Sequence, residues 1–410
     1  MDQHRLYNTL KSLSDQKFAT DEQLLSTALE MIVQKEELPI RGGRIWKLDS
    51  GSGSYRLLRQ MGDIEPIDKN FRIKALEYPL FLHLWKKGTV VATETNRYLQ
   101  KKGIRVYSAT GIGEKVQWKE HQLYQYVFAI NADIVKDHML YALNIIGSAL
   151  TSALKNRKIE RKAKLLEADL DKAREIQSSI LPQHELRFAQ YDLYGVSVAD
   201  RIVGGDFFDY LQIPEDRERL GVTIGDAASK GFSAAAQALY VSGAIRMGIG
   251  FNMKISALIS RVNDLVNRTF TPEHFVSMVY AELLNSENGL VIYVNAGHPS
   301  PIIYRNATGA TETLPATGQI LGPFPGEKYR ADFTIMRKGD VLLLYTDGLA
   351  EAQNEAKEMF GEQRIIDLLR ANKGKTPKEI CAAILQEVQT YSRMSTYSDD
   401  RTMIVIKRNR

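Results

Sequence analysis

Four aspartates stand where an apolar run starts or stops, each beside glycine or another small or acidic residue. Asp206 follows Gly204 and Gly205 in VGGDFFDY, and Asp226 follows Gly225 in LGVTIGD. Asp347 closes VLLLYTDG and is followed by Gly348, while Asp399 and Asp400 precede TMIVIK. One aspartate beside glycine is ordinarily a turn former or a helix cap. Four at strand ends have another use. An apolar strand delivers its terminal carboxylate to a fixed place at a sheet edge, and the adjoining glycine lets the backbone bend and leaves space for an ion. Carboxylates gathered there repel one another unless cations lie between them. Oxygen-only ligation of this kind suits Mg²⁺ or Mn²⁺ rather than Zn²⁺ or copper.

The elements that must position these acids fill residues 186–410. DLYGVSV, RLGVTIGD, SMVYAELL, GLVIYVN, DFTIM, DVLLLYTDG and RTMIVIKR read as strands, with NSENG and RKGD as hairpin connections. Helices fall between them at SAAAQALYVSGAIRMG, KISALISRVNDLVNRTF, EQRIIDLLRAN and TPKEICAAILQEVQTYS. Hairpins with long helices predict antiparallel sheets flanked by helices, an α+β class, and not a doubly wound parallel array.

Upstream, Ile159, Ala163, Leu166, Leu170, Ala173, Gln177 and Ile180 step by four and three, which is heptad spacing, until Pro182 ends the run. Such a coiled-coil-like helix either pairs with a second copy of itself or packs as a lone amphipathic helix. The first 150 residues mix helix and strand. DEQLLSTALEMIVQ sets its apolar residues on one helical face, RIWKL and YRLL flank the turn-rich DSGSGS, and GTVVAT and LYQYVFAIN are further strands. KDHMLYALNIIGSALTSAL then returns to helix. The expected organisation is one domain over 1–150, a helical linker over 151–185 and a second domain over 186–410.

A chain of 410 residues exceeds one ordinary core. With 44% hydrophobic and 25% charged residues it has the composition of a soluble globular protein. Cys381 is its only cysteine, which excludes an intrachain disulfide or a cysteine-cluster metal site and fits a reducing compartment. The start, MDQHRLYNTL, has no basic and apolar leader pattern, and the longest apolar run, 139–154, is too short and polar to span a bilayer. A cytoplasmic protein without a membrane span is expected. The net charge of +5 is small, and the basic KNRKIERKAK lacks the aromatic-interleaved or zinc-binding pattern of a nucleic-acid site. It reads as a solvated helix face.

VGGDFFDY, IGDAASKGFSAAAQ, NAGHPSPIIY, LLLYTDGLAEAQN and DDRTMIVIK occur in the order and spacing of the bacterial SpoIIE/RsbU-like, PPM-type serine/threonine phosphatases, and AREIQSSILPQ resembles the segment before that catalytic domain. The resemblance covers residues 173–410. It implies an αββα sandwich with a site for two divalent cations, Mn²⁺ or Mg²⁺, at one end. Carried over, the metal ligands are Asp206, Asp226, Asp347 and Asp399, with the Ala227 carbonyl as a further ligand and Asp226 bridging. The implied reaction is attack on phosphoserine or phosphothreonine by metal-activated water, without a covalent intermediate. The implied substrate is a phosphorylated regulatory protein, such as a STAS-type antagonist in a partner switch. GGRIWKLD, ATGIGEK and QYVFAIN loosely resemble a GAF-type sensory domain, with a PAS-like or purely structural α/β module as the alternative. The resemblance implies a small ligand or protein partner there and signalling through the linker, whose heptads would pair in a homodimer. Two other functions stay open: a catalytically weak or silent phosphatase-like binding module, and a small-molecule metal phosphohydrolase.

Several neighbours carry two readings. Asp209 and Asp400 are candidates to hydrogen-bond metal-bound water; on the other reading Asp209 faces solvent and Asp400 caps or positions the final strand. His298 shapes the turn of NAGHPSP or acts as a general acid. Lys230 meets a phosphate or does nothing specific. Cys381, on an apolar helical face, belongs to the core. Two positions depart from the family pattern: Ser229 replaces a glycine beside Asp226, and Ile202 stands where a glutamate is common.

Overall fold

The computed structural model describes residues 13, 16, 18–35, 40–132, 137–200, 202–213, 216–251, 253–395 and 399–409. The MDQHRLYNTL start lies outside them. The chain divides into two compact units, Met1–Leu165 and Leu166–Arg410.

In the first unit, α1 (Asp21–Lys35) precedes the hairpin β1 (Gly42–Asp49) and β2 (Ser54–Gly62). Then come β3 (Arg72–Lys74), α2 (Pro79–Lys87), β4 (Thr89–Thr93), α3 (Arg97–Lys101), β5 (Val106–Trp118) and β6 (His121–Asn131). They form one antiparallel sheet in the order β3-β2-β1-β6-β5-β4. Side chains alternate across a strand, so Ile45 and Phe128 pack on α1 while Trp46 and Val127 pack on the opposite face with Tyr78 and Phe81. β5 is the strand that its sequence hides. Gly111 and Gly113 weaken its pattern, but a side chain at Gly111 would strike the Tyr124 ring, its Cβ 2.1 Å from the nearest ring carbon.

Helix α4 (Asp137–Ile180) is one element of 44 residues. The segment expected as a separate linker helix is therefore continuous with the helix before it, and no glycine or proline interrupts it after Gly147. Its early turns bury Leu143, Ile146 and Leu150, whereas Ile159, Leu165, Leu166 and Ile176 are exposed. The basic stretch is solvated, with Arg157 paired to Asp21 and Lys158 to Glu114.

The second unit is a sandwich of two antiparallel sheets. The first holds β9 (Phe207–Gln212), β10 (Arg219–Ala227), β11 (Val276–Leu284), β12 (Leu290–Ala296) and β15 (Asp332–Ile335), in the order β15-β12-β11-β10-β9. The second runs β14-β13-β16-β17-β8-β7, from β7 (Glu185–Phe188), β8 (Tyr191–Val198), β13 (Ile302–Tyr304), β14 (Thr311–Thr313), β16 (Val341–Tyr345) and β17 (Arg401–Arg408). Val222, Ile224, Leu342, Leu344, Ile404 and Ile406 fill the space between them. Helices α5 (Phe232–Ile249) and α6 (Ile255–Thr269) cover the first sheet. The short α7 (Asp347–Ala350) follows β16, and α8 (Glu362–Asn372) and α9 (Pro377–Tyr391) cover the second sheet, with Cys381 on the buried face of α9. This is the expected αββα layering.

One hairpin expectation fails. RKGD joins β15 to β16, but β15 pairs with β12 in one sheet and β16 with β13 and β17 in the other. The turn crosses between sheets. Asp340, buried there, holds it by accepting from the Arg337 and Asn306 backbone N–H groups and pairing with Arg305. Among the described residues no helix is long and apolar enough to cross a membrane.

Candidate active site

Each sheet sends acids to the same end of the sandwich. Asp206 sits in the turn before β9, and Asp226 is the penultimate residue of β10. Asp347 opens α7 directly after β16, and Asp399 and Asp400 precede β17. Asp206 is 4% exposed, and its Oδ2 accepts from the Thr346 hydroxyl at 2.7 Å. Thr346 in turn accepts from the Thr402 backbone N–H at 3.0 Å. A carboxylate from one sheet is thus pinned to β16 and β17 of the other.

The glycines permit this contact. A Cβ on Gly205 would lie 2.9 Å from the Ala227 carbonyl oxygen, and one on Gly204 would lie 2.4 Å from Asp400 Oδ2. Asp400 holds the turn itself: Oδ2 accepts from the Gly205 and Asp206 backbone N–H groups at 2.6 and 3.4 Å, and Oδ1 from that of Asp200 at 2.8 Å. Its carboxylate therefore positions the Asp206 turn rather than only capping β17.

The charges are strained. Burial first, then Asp226, drives the Asp206 carboxyl well above the usual range. Burial with Asp347, Asp399 and Asp400 nearby raises Asp226 to about 7, against a hydrogen bond to Asp206 that lowers it. Burial, Glu351 and Asp399 also raise Asp347. Crowded, desolvated carboxylates attract either protons or cations. Lys230 supplies one cation, with Nζ 3.1 Å from Asp399 Oδ2. Among the described residues no three acids or histidines stand close enough to enclose one ion together; they meet as overlapping pairs. The all-oxygen donors, the mutual repulsion and the glycine-lined approach nevertheless fit a hard divalent cation.

Asp209 lies elsewhere. It is buried on β9 and paired with Arg246 of α5 at 2.5 Å, so it is not solvent-facing. Arg246 also donates to the Ile180 carbonyl at the end of α4 at 2.6 Å. Removing Arg246 leaves a buried, uncompensated carboxylate. Arg246→Ala is expected to cost about 3 kcal/mol in urea unfolding at pH 8. The loss should shrink toward pH 5, because Asp209, whose pKa burial already raises, can then take up a proton.

His298 is a turn residue here. Its N–H donates to Asn295 Oδ1 and its carbonyl accepts from Asn295 Nδ2. Burial lowers its pKa to about 3, so it is neutral at physiological pH and has no proton to give as an imidazolium. Nδ1 lies 2.8 Å from the hydroxyl of Ser277, the β11 partner of Asp226. Ser229 donates its backbone N–H to the Ala227 carbonyl at 2.6 Å, and Ile202 is half-buried. Two contributors escaped the sequence reading. Thr346 was hidden as the unremarkable third-last letter of YTDG. Gln177, read as a heptad position, instead clasps the turn: its Nε2 donates to the Gly204 carbonyl at 2.7 Å, and its Oε1 accepts from the Gly204 N–H at 3.3 Å.

Residues 216–409 match the family model described as Stage II sporulation protein E (SpoIIE). Asp226, Asp347 and Asp399 fall inside that span and Asp206 just before it. Protein IcfG of Synechocystis sp. is 31% identical over 268 residues, 59% of this chain and 42% of that protein, so the chain spans less than half of this relative. Phosphoserine phosphatase RsbU of Bacillus subtilis is 22% identical over 243 residues, 59% of this chain and 71% of that protein. Among solved structures, the SiaA-PP2C domain of Pseudomonas aeruginosa superposes with a TM-score of 0.51 at 20% identity, covering 60% of this chain and 98% of that domain. The second unit thus carries the match to the SpoIIE family model over residues 216–409 and shares its fold with the SiaA-PP2C domain.

Proposed function

We propose that the protein is a signal-regulated, metal-dependent protein serine/threonine phosphatase that hydrolyses phosphoserine or phosphothreonine on a regulatory partner, with a STAS-type antagonist as the model substrate. The observation that carries this reading is the convergence of Asp206, Asp226, Asp347 and Asp399 from both sheets on one edge. Supporting it, a relative bears the name phosphoserine phosphatase. The four carboxylates and the Ala227 carbonyl would hold Mn²⁺ or Mg²⁺, which supplies an acidified water and offsets phosphoryl charge. The chain's own contribution is positional. Thr346 and Asp400 fix Asp206, and Gly204 and Gly205 admit the approach. The neutral His298 leaves the proton for the departing alkoxide to come from water.

A weak or silent binding module is the second reading, favoured by two departures from the family pattern, Ser229 beside Asp226 and Ile202 before the Gly204–Asp206 turn. Hydrolysis of an aryl phosphate and of a phosphopeptide with added Mn²⁺ separates the two. Turnover that Asp347→Asn removes supports the phosphatase, and no turnover even from the second unit alone supports the binding module. Turnover of the aryl phosphate with none of the phosphopeptide points instead to a small-molecule phosphohydrolase.

The first unit, as a GAF-like sensor, would act through α4, whose exposed Ile159, Leu165 and Leu166 suit pairing with a second copy. Charge reversal or helix breaking within 159–173 is expected to change both oligomeric state and turnover. Unaltered sedimentation and unaltered kinetics together would sink the linker model.

A further inference from the structure

In the first unit the side chain of Arg44, on β1, is 2% exposed. A buried cation ordinarily faces a carboxylate, because leaving water is costly for it. Here its partners are neutral. One terminal nitrogen donates to Asn131 Oδ1 at 2.6 Å and the other to the Glu65 carbonyl at 2.9 Å. Nε has no partner among the described residues. Burial lowers the pKa to about 10, which still leaves the group charged at neutral pH. A guanidinium held this way is a donor awaiting an anion.

Arg44 lines a small chamber with Trp46, Phe81, Tyr78, Tyr107 and Glu94. Its free interior of about 30 Å³ has room for about one water. Glu94 forms no ion pair with Arg44 among the described residues; its Oε2 accepts from the Tyr78 hydroxyl at 2.5 Å and its Oε1 from the Asn96 backbone N–H at 2.7 Å. The Tyr107 hydroxyl donates to that of Tyr78 at 2.9 Å. Both tyrosines also line an outer cleft of about 490 Å³ that includes His83 and Lys87. Tyr78 and Tyr107 line both spaces and therefore stand between a wide vestibule with His83 and Lys87 and a narrow chamber that holds Arg44.

We propose that vestibule and chamber form one binding site for a small carboxylate with an apolar body. The acid group takes the chamber beside the forked guanidinium of Arg44, the apolar body stays in the wider vestibule against Val90, Ala92 and Leu140, and Tyr78 and Tyr107 line the passage between them. The fork matches the two oxygens of a carboxylate. An inorganic dianion needs more donors than these walls present. Every residue of the site belongs to the first unit, so the proposal does not depend on the phosphatase reading.

The test uses the full chain with benzoate and propionate as probes and benzamide as the neutral isostere of benzoate, at matched ionic strength. Tryptophan fluorescence reports on Trp46, and thermal unfolding gives an independent readout. Saturable binding of benzoate or propionate is expected, with benzamide at least tenfold weaker than benzoate. Arg44→Met, which removes the charge at similar length, should lose tenfold or more of carboxylate affinity. Ala109→Val narrows the chamber without touching the charge and should weaken binding as well, which keeps the test decisive if Arg44→Met fails to fold. Equal binding of benzoate and benzamide, unchanged affinity in the folded variants, or no saturable response to either carboxylate overturns the proposal.

Discussion

Replacing Asp226 by asparagine is expected to abolish Mn²⁺-dependent phosphate hydrolysis while making the metal-free protein more stable at pH 8. Loss of activity follows from its place among the acids, as it is the group whose charge Asp347, Asp399 and Asp400 all oppose. The gain in stability follows from the same crowding. The Asp226 carboxyl is raised from its usual 3.8 to about 7 in the folded chain. Its contribution to stability is thus complete below about pH 4 and is lost as pH rises through 7. A shift of that size corresponds to at most about 4 kcal/mol. Thermal unfolding in a chelator should show the wild type losing stability from pH 5 to pH 8 and Asp226→Asn losing much less. Added Mn²⁺ should restore the wild type at pH 8 and do little for the variant. Equal metal response in both would remove Asp226 from the site.

Gly348→Ala is expected to be nearly as damaging, though it removes no charge. A Cβ at 348 would lie 1.9 Å from the Asp400 carbonyl oxygen and 3.4 Å from the Asp399 Cβ. Neither neighbour is the loose end of a side chain, so two backbone segments must part. One carries Asp347 and the other Asp399 and Asp400. Overpacking of this kind costs about 1–3 kcal/mol in stability, read by urea unfolding. A displacement near 1 Å at a catalytic edge costs on the order of 10²-fold in rate, read as kcat/KM. Gly205→Ala, whose Cβ would meet the Ala227 carbonyl and the Ala234 methyl at 2.9 Å, should be milder. A Gly348→Ala variant with wild-type turnover would show that the Asp347 and Asp399 segments need not touch.

The sandwich was readable because several of its strands are short apolar runs that end in glycine and acid, and helices α6, α8 and α9 carry one-sided patterns. The four aspartates stood out for the same reason. What sequence could not convey was which sheet each strand joins: RKGD has hairpin chemistry but bridges layers, since the pairing of β15 with β12 depends on residues about 40 positions apart. Nor could spacing reveal Gln177, whose amide grips Gly204 although its position fits a helix-pairing seam. Arg246 was equally hidden, because one basic residue on a helix looks solvated until a buried carboxylate such as Asp209 is found beneath it. β5 went unread because polar and glycine positions break its alternation.

The place of β17 in the second sheet has a consequence for how the molecule comes into being. β17 lies between β16 and β8, strands made earlier in synthesis, and β8 has no other partner but β7 at the sheet edge. The turn carrying Asp206 is likewise tethered to Asp400, a residue 195 positions later. While the chain grows, therefore, β8 has no inner neighbour and the Asp206 turn lacks its Asp400 anchor. Such long-range closure is slow relative to local folding. The acidic edge is therefore incomplete in every nascent chain that lacks β17, and its aspartates are brought together only late.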